Sequence, residues 1–314
     1  MVYSRSINQI GAPLKQTLTA LYKLTQFNEH IYFVIVTSLL GLAASKGQFD
    51  WRFFILLPAN VLVVSFIHML SYIIDAPGDA LSNNIKNPNP ISTGLITPGA
   101  AKKFTAFIGL LSAILYAILG TKPLLFGMIC LSLGFIYSIR RIQHHQAGVF
   151  DISSQCLVFA GFQYLCSYFT YTSGFNRVWF WPFALVISLS FFREDCINPG
   201  NLHKTQKSHN QSALQNPGNR FNQIIMIFAV SVSILSTIAT FLIINIIPNW
   251  TLILVLGLSI IFIIPSLFNV EKGETNQILV KKFQKPLEQA AALSLFLGEL
   301  LPWLDKIIGT GIFS

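Results

Sequence analysis

Charge is what this sequence has least of. Only 11% of its 314 residues are Asp, Glu, Lys or Arg, whereas a soluble domain carries roughly 25%. With 53% hydrophobic residues and a mean hydropathy of +0.60, that shortage excludes an ordinary soluble domain and points to a polytopic membrane protein. Acids are scarcer than bases, 12 against 21, which leaves a net charge of +9. The Lys and Arg residues are dispersed between apolar runs and form no basic face. A nucleic-acid surface is therefore excluded, and the bases read as topology signals and phosphate ligands.

Paired cysteines are missing as well. Cys130, Cys156, Cys166 and Cys196 form no CxxC pair and three of them fall within apolar runs, so packing is expected of them rather than metal binding or disulfides. His144 and His145 have no third ligand at metal spacing, which argues against zinc. The first 27 residues are mixed and polar, and the first long apolar run opens only at Ile31; no cleavable signal peptide is expected. No convincing internal repeat is visible, which disfavours a transporter built from inverted halves.

Long apolar runs are what the chain does have. At about 20 residues per crossing, there are nine candidate spans, near 30–46, 52–74, 103–120, 123–139, 150–171, 177–192, 221–246, 250–268 and 287–304. The expected fold is all-α, a polytopic bundle of about nine transmembrane helices in a single integral membrane domain over residues 1–314. Glu288 and Glu299 interrupt the last run, which alternatively reads as an interfacial helix. Residues 1–27 read as a cytoplasmic amphipathic arm. With the N-terminus cytoplasmic, only Lys46, Arg52, Lys122, Arg177 and Lys306 of the 21 basic residues fall on the opposite side, a clear positive-inside bias. The long polar connections, 75–99 and 193–220 among them, then share the cytoplasmic face.

Residues 66–98 concentrate the chemistry, because an apolar run ends there on Asp75 and Asp79. A carboxylate at membrane depth costs roughly 2.5 to 3.5 kcal/mol, so two of them call for a cationic ligand. The i, i+4 spacing puts both on one helical face, as two carboxylates sharing Mg2+ require. Pro77 and Gly78 lie between them and predict a break in the helix; a plain solvated helix end is the alternative reading. Asn83, Asn84, Lys86, Asn87 and Asn89 follow, and the loop after the sixth span holds Arg193, Glu194, Asp195, Asn198, Asn201, His203, Lys204 and Thr205. Each loop joins oxygen ligands for a hard cation to bases that can hold phosphate oxygens. Facing each other, the two would form a diphosphate clamp.

The order of nine spans, with one acidic motif after the second and another after the sixth, resembles the UbiA superfamily of intramembrane prenyltransferases. The segment NPNPISTGLIT after Asp79 is similar to the family's asparagine- and proline-containing continuation. Tyr137, Ser138, Arg140 and Arg141 resemble its tyrosine and basic segment, and Asp151 sits where the family often has an acid. Ser71 stands where the first motif usually has asparagine, and Asn89 is the residue nearest to an expected arginine. With Thr205 aligned to the threonine of the second motif, Phe191, Glu194 and Asn198 fall on its acidic positions and Asp195 is one residue out of register.

The resemblance implies that Asp75 and Asp79, with Glu194 or Asp195 and Asn198, hold Mg2+ on the diphosphate of an isoprenyl donor. It also implies that Lys86, Arg140, Arg141, Arg193 and Lys204 neutralise the leaving diphosphate, where developing charge is best stabilised. An allylic cation would sit among rings such as Phe66, Tyr72, Tyr164 and Tyr168. His68, Ser71, Tyr72, Asn83, Tyr137, Asp151 and Tyr164 are the candidate pocket residues. The expected activity is transfer of an isoprenyl group to an aromatic or lipid-like acceptor in the bilayer. A terpene cyclase on the same scaffold is one alternative, and a non-catalytic scaffold or transporter is another.

Overall fold

The computed structural model describes residues 14–80, 89–143, 157–197, 220–244, 246–268 and 276–309. Among these the chain is entirely helical, with ten α-helices. They are α1 Leu14–Thr25, α2 Phe27–Ala44, α3 Trp51–Asp79, α4 Pro98–Leu119, α5 Thr121–Gln143, α6 Phe162–Tyr171, α7 Phe180–Ile197, α8 Arg220–Ile238, α9 Asn249–Phe268 and α10 Asn276–Ile308. Two π-helical turns, Leu157–Gly161 and Ala239–Ile243, lead into α6 and extend α8.

Each of the nine apolar runs contains a helix, and α1 precedes them. Helices α2, α3 and α4 and residues Thr121–Ser138 of α5 are long and apolar enough to cross a bilayer. Large side chains face outward along the bundle, including Leu110, Phe228 and Ile253 at 62%, 69% and 71% exposure. An apolar surface of this kind is stable only against lipid, and the protein is an integral membrane protein.

Helix α3 is the centre of the bundle and packs on α1, α2, α4, α5 and α6. Asp50 begins it by accepting a hydrogen bond at 2.9 Å from the Arg52 backbone N–H, as an N-cap should. Contrary to the break expected at Pro77 and Gly78, α3 runs unbroken to Asp79. Pro77 removes one donor, the N–H that would reach the Ile73 carbonyl, but the ladder resumes where Ala80 N–H donates to Ala76 O at 3.1 Å. Ala76 is buried in an apolar cluster with Ala20, Leu24, Met69, Ile91 and Ile96, and that packing holds the last turns straight.

A buried polar knot registers four helices at mid-height. Asn60 of α3 donates to Ser38 Oγ of α2 at 2.8 Å and to Ser167 Oγ of α6 at 3.0 Å, and accepts from Tyr116 OH of α4 at 2.6 Å. All four residues are fully buried. Gly41 allows α2 this close to α6, because a Cβ there would lie 2.5 Å from Ser167 Cβ; small residues serve such contacts in membranes. Asn60→Leu leaves the other three groups short of a partner and is expected to destabilise the fold by about 2 kcal/mol. Thermal denaturation in detergent checks this, and an unchanged Tm would remove the knot from the account of stability.

Candidate active site

The site is built on the final turns of α3. Asp75 and Asp79 are both half-buried there, four residues apart on a continuous helix, so they share one face. The returning chain reaches Asp79 through Asn89, which is 2% exposed. Its carboxamide N–H donates to Asp79 Oδ2 at 3.1 Å and to the Tyr72 carbonyl at 2.8 Å. Its side-chain oxygen accepts from Ile91 N–H at 3.0 Å, an Asx turn that Asn is well suited to form. Its own carbonyl accepts from Ser92 Oγ at 2.9 Å and Thr93 Oγ1 at 3.1 Å. Thr97 then caps α4 by accepting from Ala100 N–H at 3.2 Å, with Pro98 in the first turn. The segment from Asn89 to Thr97 thus orients one carboxylate oxygen of Asp79.

A second approach comes from the N-terminal side. Gln26 joins α1 to α2 in the left-handed region, at φ 49, which is uncommon outside glycine. The turn brings its side chain to the Tyr72 hydroxyl, and Tyr72 also lies within electrostatic range of Asp79, Glu29 and Asp75. Deeper in the bundle the His30 and His68 rings stack at 5.3 Å between centroids and 25° between planes. Ser65 Oγ lies 3.4 Å from His30 Nε2.

The structure therefore brings Asp75, Asp79, Tyr72 and His68 to one face of α3, and Ser71 is half-buried on the same helix. Tyr137 is half-buried on α5. Tyr164 lies on α6, where its hydroxyl donates to the Trp179 carbonyl at 2.8 Å and its ring packs on Tyr168 and Phe183 in the apolar core. Arg140 and Arg141 belong to α5, and Arg193, Glu194 and Asp195 to α7, but their side chains lie outside the described residues. Asn83, Lys86, Asp151, Asn198 and Lys204 lie outside the described residues altogether.

The roles of three residues, Asn89, Gln26 and Glu29, are not legible in the sequence. Asn89 reads from the sequence as an oxygen ligand of its loop and as the residue nearest an expected arginine, not as the group that orients Asp79, although an Asn-Pro step before Ser and Thr signals an Asx turn. Gln26 and Glu29 had no signal, since only the packing of α1 and α2 on α3 brings them to the site.

The donor set present, paired carboxylates with amide and phenol groups around them, suits a hard cation such as Mg2+ and not a soft one. No group of three or more His, Cys, Asp or Glu residues placed to hold a metal occurs among the described residues. A cation held by Asp75 and Asp79 would therefore need further ligands beyond the described residues.

An all-helical membrane bundle with acids at the end of its central helix defines the class. The UbiA prenyltransferase family model matches residues 33–284, and the chain belongs to that family. Solved structures share the fold. A structure concerning digeranylgeranylglyceryl phosphate synthase in membranes is 17% identical, at TM-score 0.62, covering 91% of this chain and 99% of that one. A UbiA homologue from Archaeoglobus fulgidus bound to DMAPP and Mg2+ is 13% identical at TM-score 0.61, covering 88% of this chain and 98% of that one. A UbiA homologue from Aeropyrum pernix K1 is 14% identical at TM-score 0.65, covering 87% and 98%. No curated protein sequence matches the chain.

Proposed function

We propose that this protein is an intramembrane prenyltransferase that moves an isoprenyl group from an isoprenyl diphosphate to an aromatic or lipid-like acceptor, with loss of diphosphate. The observation that carries this reading is the Asp75 and Asp79 pair on one face of an unbroken α3, with Asp79 oriented by Asn89. Family membership supports it, as do fold relatives bound to DMAPP or GPP together with Mg2+.

In this reading the whole chain, 1–314, is one membrane domain of nine crossings. Its N-terminus and the loops 75–99 and 193–220 lie on the cytoplasmic side. Asp75 and Asp79 hold Mg2+ together with Glu194 or Asp195 and Asn198. A Mg2+ held by these residues would supply positive charge to offset that of the donor diphosphate. Lys86, Arg140, Arg141, Arg193 and Lys204 bind the diphosphate oxygens and stabilise the leaving group as the C–O bond breaks. The apolar bundle excludes water, which would otherwise capture the allylic cation. His68, Ser71, Tyr72, Asn83, Tyr137, Asp151 and Tyr164 are the pocket side chains of this reading.

The test is direct. Purified protein is incubated with labelled geranylgeranyl diphosphate and Mg2+, with and without a membrane lipid extract, and diphosphate and apolar products are measured. Transfer that requires the extract is the expected result and identifies the acceptor. A cyclic hydrocarbon formed without extract would mean a terpene cyclase instead. No diphosphate release with short, medium or long donors would refute the enzymatic reading.

A further inference from the structure

On α4 the exposed side chains Phe107, Leu110, Ile114 and Ile118 recur every three or four residues, so they form one stripe facing lipid. Lys103 stands one turn before Phe107 on the same face, and both it and Lys102 are exposed. A lysine that ends such a stripe marks the depth of the lipid headgroups, because its stem lies along the apolar surface and its ammonium reaches the interface. Both lysines directly follow Ala101, which is buried in the same cluster as Ala20 and Leu24 of α1. Helix α1 therefore lies at headgroup depth.

At that depth α1 presents two apolar faces. Ala20 and Leu24 are buried against the bundle, whereas Leu18 and Tyr22, also four residues apart, are 57% and 49% exposed. Lys23 is exposed beside Tyr22. Residues 14–25 and 91–107 together hold four lysines and no acid. Lys23, Lys102 and Lys103 make no ion pair among the described residues, and the acid nearest to α1 along the chain, Glu29, lies within electrostatic range of Tyr72. The outer face is held in place by the protein itself. Tyr22 OH donates to Asn28 Oδ1 at 2.7 Å, and Thr25 Oγ1 donates to the Tyr22 carbonyl at 2.7 Å and accepts from Phe27 N–H at 3.3 Å. With Gln26 left-handed between them, α1 turns away from α2 instead of continuing it. An exposed apolar ridge edged by unpaired lysines, where the bilayer begins, is the pattern of a helix seated on anionic lipid.

We propose that α1 and the first turns of α4 form a docking surface for the headgroups of anionic phospholipids. Leu18 and Tyr22 sit at the acyl boundary, and Lys23, Lys102 and Lys103 hold the phosphates. A zwitterionic headgroup brings its own ammonium against these lysines and fits less well. The surface does not depend on the prenyltransferase reading.

Full-length protein purified in an uncharged detergent is titrated with dioleoylphosphatidylglycerol or dioleoylphosphatidylcholine. Bound lipid is counted by native mass spectrometry, and Tm is followed on the same samples. Wild type is expected to bind phosphatidylglycerol in preference and to gain Tm from it. The triple variant Lys23→Gln, Lys102→Gln, Lys103→Gln is expected to bind it roughly 100-fold more weakly, at about fivefold per lysine, with its Tm in phosphatidylcholine unchanged. Lys23→Gln by itself weakens binding roughly fivefold, which decides the matter should the triple variant not fold. Equal binding of the two lipids by wild type overturns the proposal, as does wild-type binding in these variants. Arg177 and Lys306 are exposed at the other end of the bundle, near the contacts of Asn176 with Ala44 and of Trp303 with Phe49. An equal loss in Arg177→Gln, Lys306→Gln also overturns the proposal, since charge anywhere would then suffice.

A diphosphate donor offers the same phosphate chemistry, so binding of geranylgeranyl thiolodiphosphate with Mg2+ is measured in lipid-free detergent. The triple variant is expected to match wild type. A roughly tenfold or greater loss assigns the lysines to the donor and overturns the lipid surface. If wild type binds no analogue, the prenyltransferase reading falls and the lipid titration alone decides the surface.

Discussion

Asp75→Ala and Asp79→Ala are each expected to reduce Mg2+-dependent kcat/KM by roughly a thousandfold or more, a loss of about 4 kcal/mol of transition-state stabilisation. The effect is large because each carboxylate is one of only two hard-cation ligands that the described part of the site provides on α3. The fold survives, because both side chains are half-buried at the end of the helix and neither fills the apolar clusters. Relieving repulsion between two neighbouring acids also leaves Tm level or slightly raised in the absence of metal. Steady-state kinetics over a Mg2+ titration, with Tm measured on the same samples, checks both statements. Full activity in either variant removes that residue from the metal site.

Asn89→Leu is expected to lower activity by roughly 10- to 100-fold, the usual cost of removing a group that orients a metal ligand. It also destabilises the protein by about 2 kcal/mol. The substitution abolishes three hydrogen bonds, to the Tyr72 carbonyl, Asp79 Oδ2 and Ile91 N–H. The Tyr72 carbonyl lies one residue before Ile73, whose carbonyl has lost its donor to Pro77. The asparagine therefore supports the helix where proline weakens it. The two roles separate in the data. Loss of Asp79 orientation appears as an increased Mg2+ requirement, and saturating Mg2+ recovers part of the activity. Loss of the turn appears as a lower Tm that metal does not restore. An Asn89→Leu protein with wild-type Mg2+ dependence would show that Asp79 is oriented by something else.

The difference between these residues is also a difference in what a sequence can reveal. Asp75 and Asp79 were legible because their spacing and their placement at the end of an apolar run are local, and an α-helix converts such spacing into a shared face. The apolar runs were legible for the same reason, and every one of them contains a helix. The reading failed where a local rule met tertiary packing. Pro77 and Gly78 predicted a break, yet α3 continues, because Ala76 is seated in the cluster with α1 and Asn89 bonds back to the helix.

By itself the amino-acid sequence determined that this protein is helical, that it belongs in a bilayer and that two carboxylates stand four residues apart at the end of the second apolar run. All three follow from composition and residue order, which no distant contact alters. Only the tertiary structure decided that Asn89 orients Asp79, that Gln26 reaches Tyr72 and that His30 stacks on His68. These depend on the packing of α2, α3 and α6, held in register by Asn60, whose partner Ser167 lies 107 residues away along the chain. The penalty for leaving a buried polar group unpaired enforces that register.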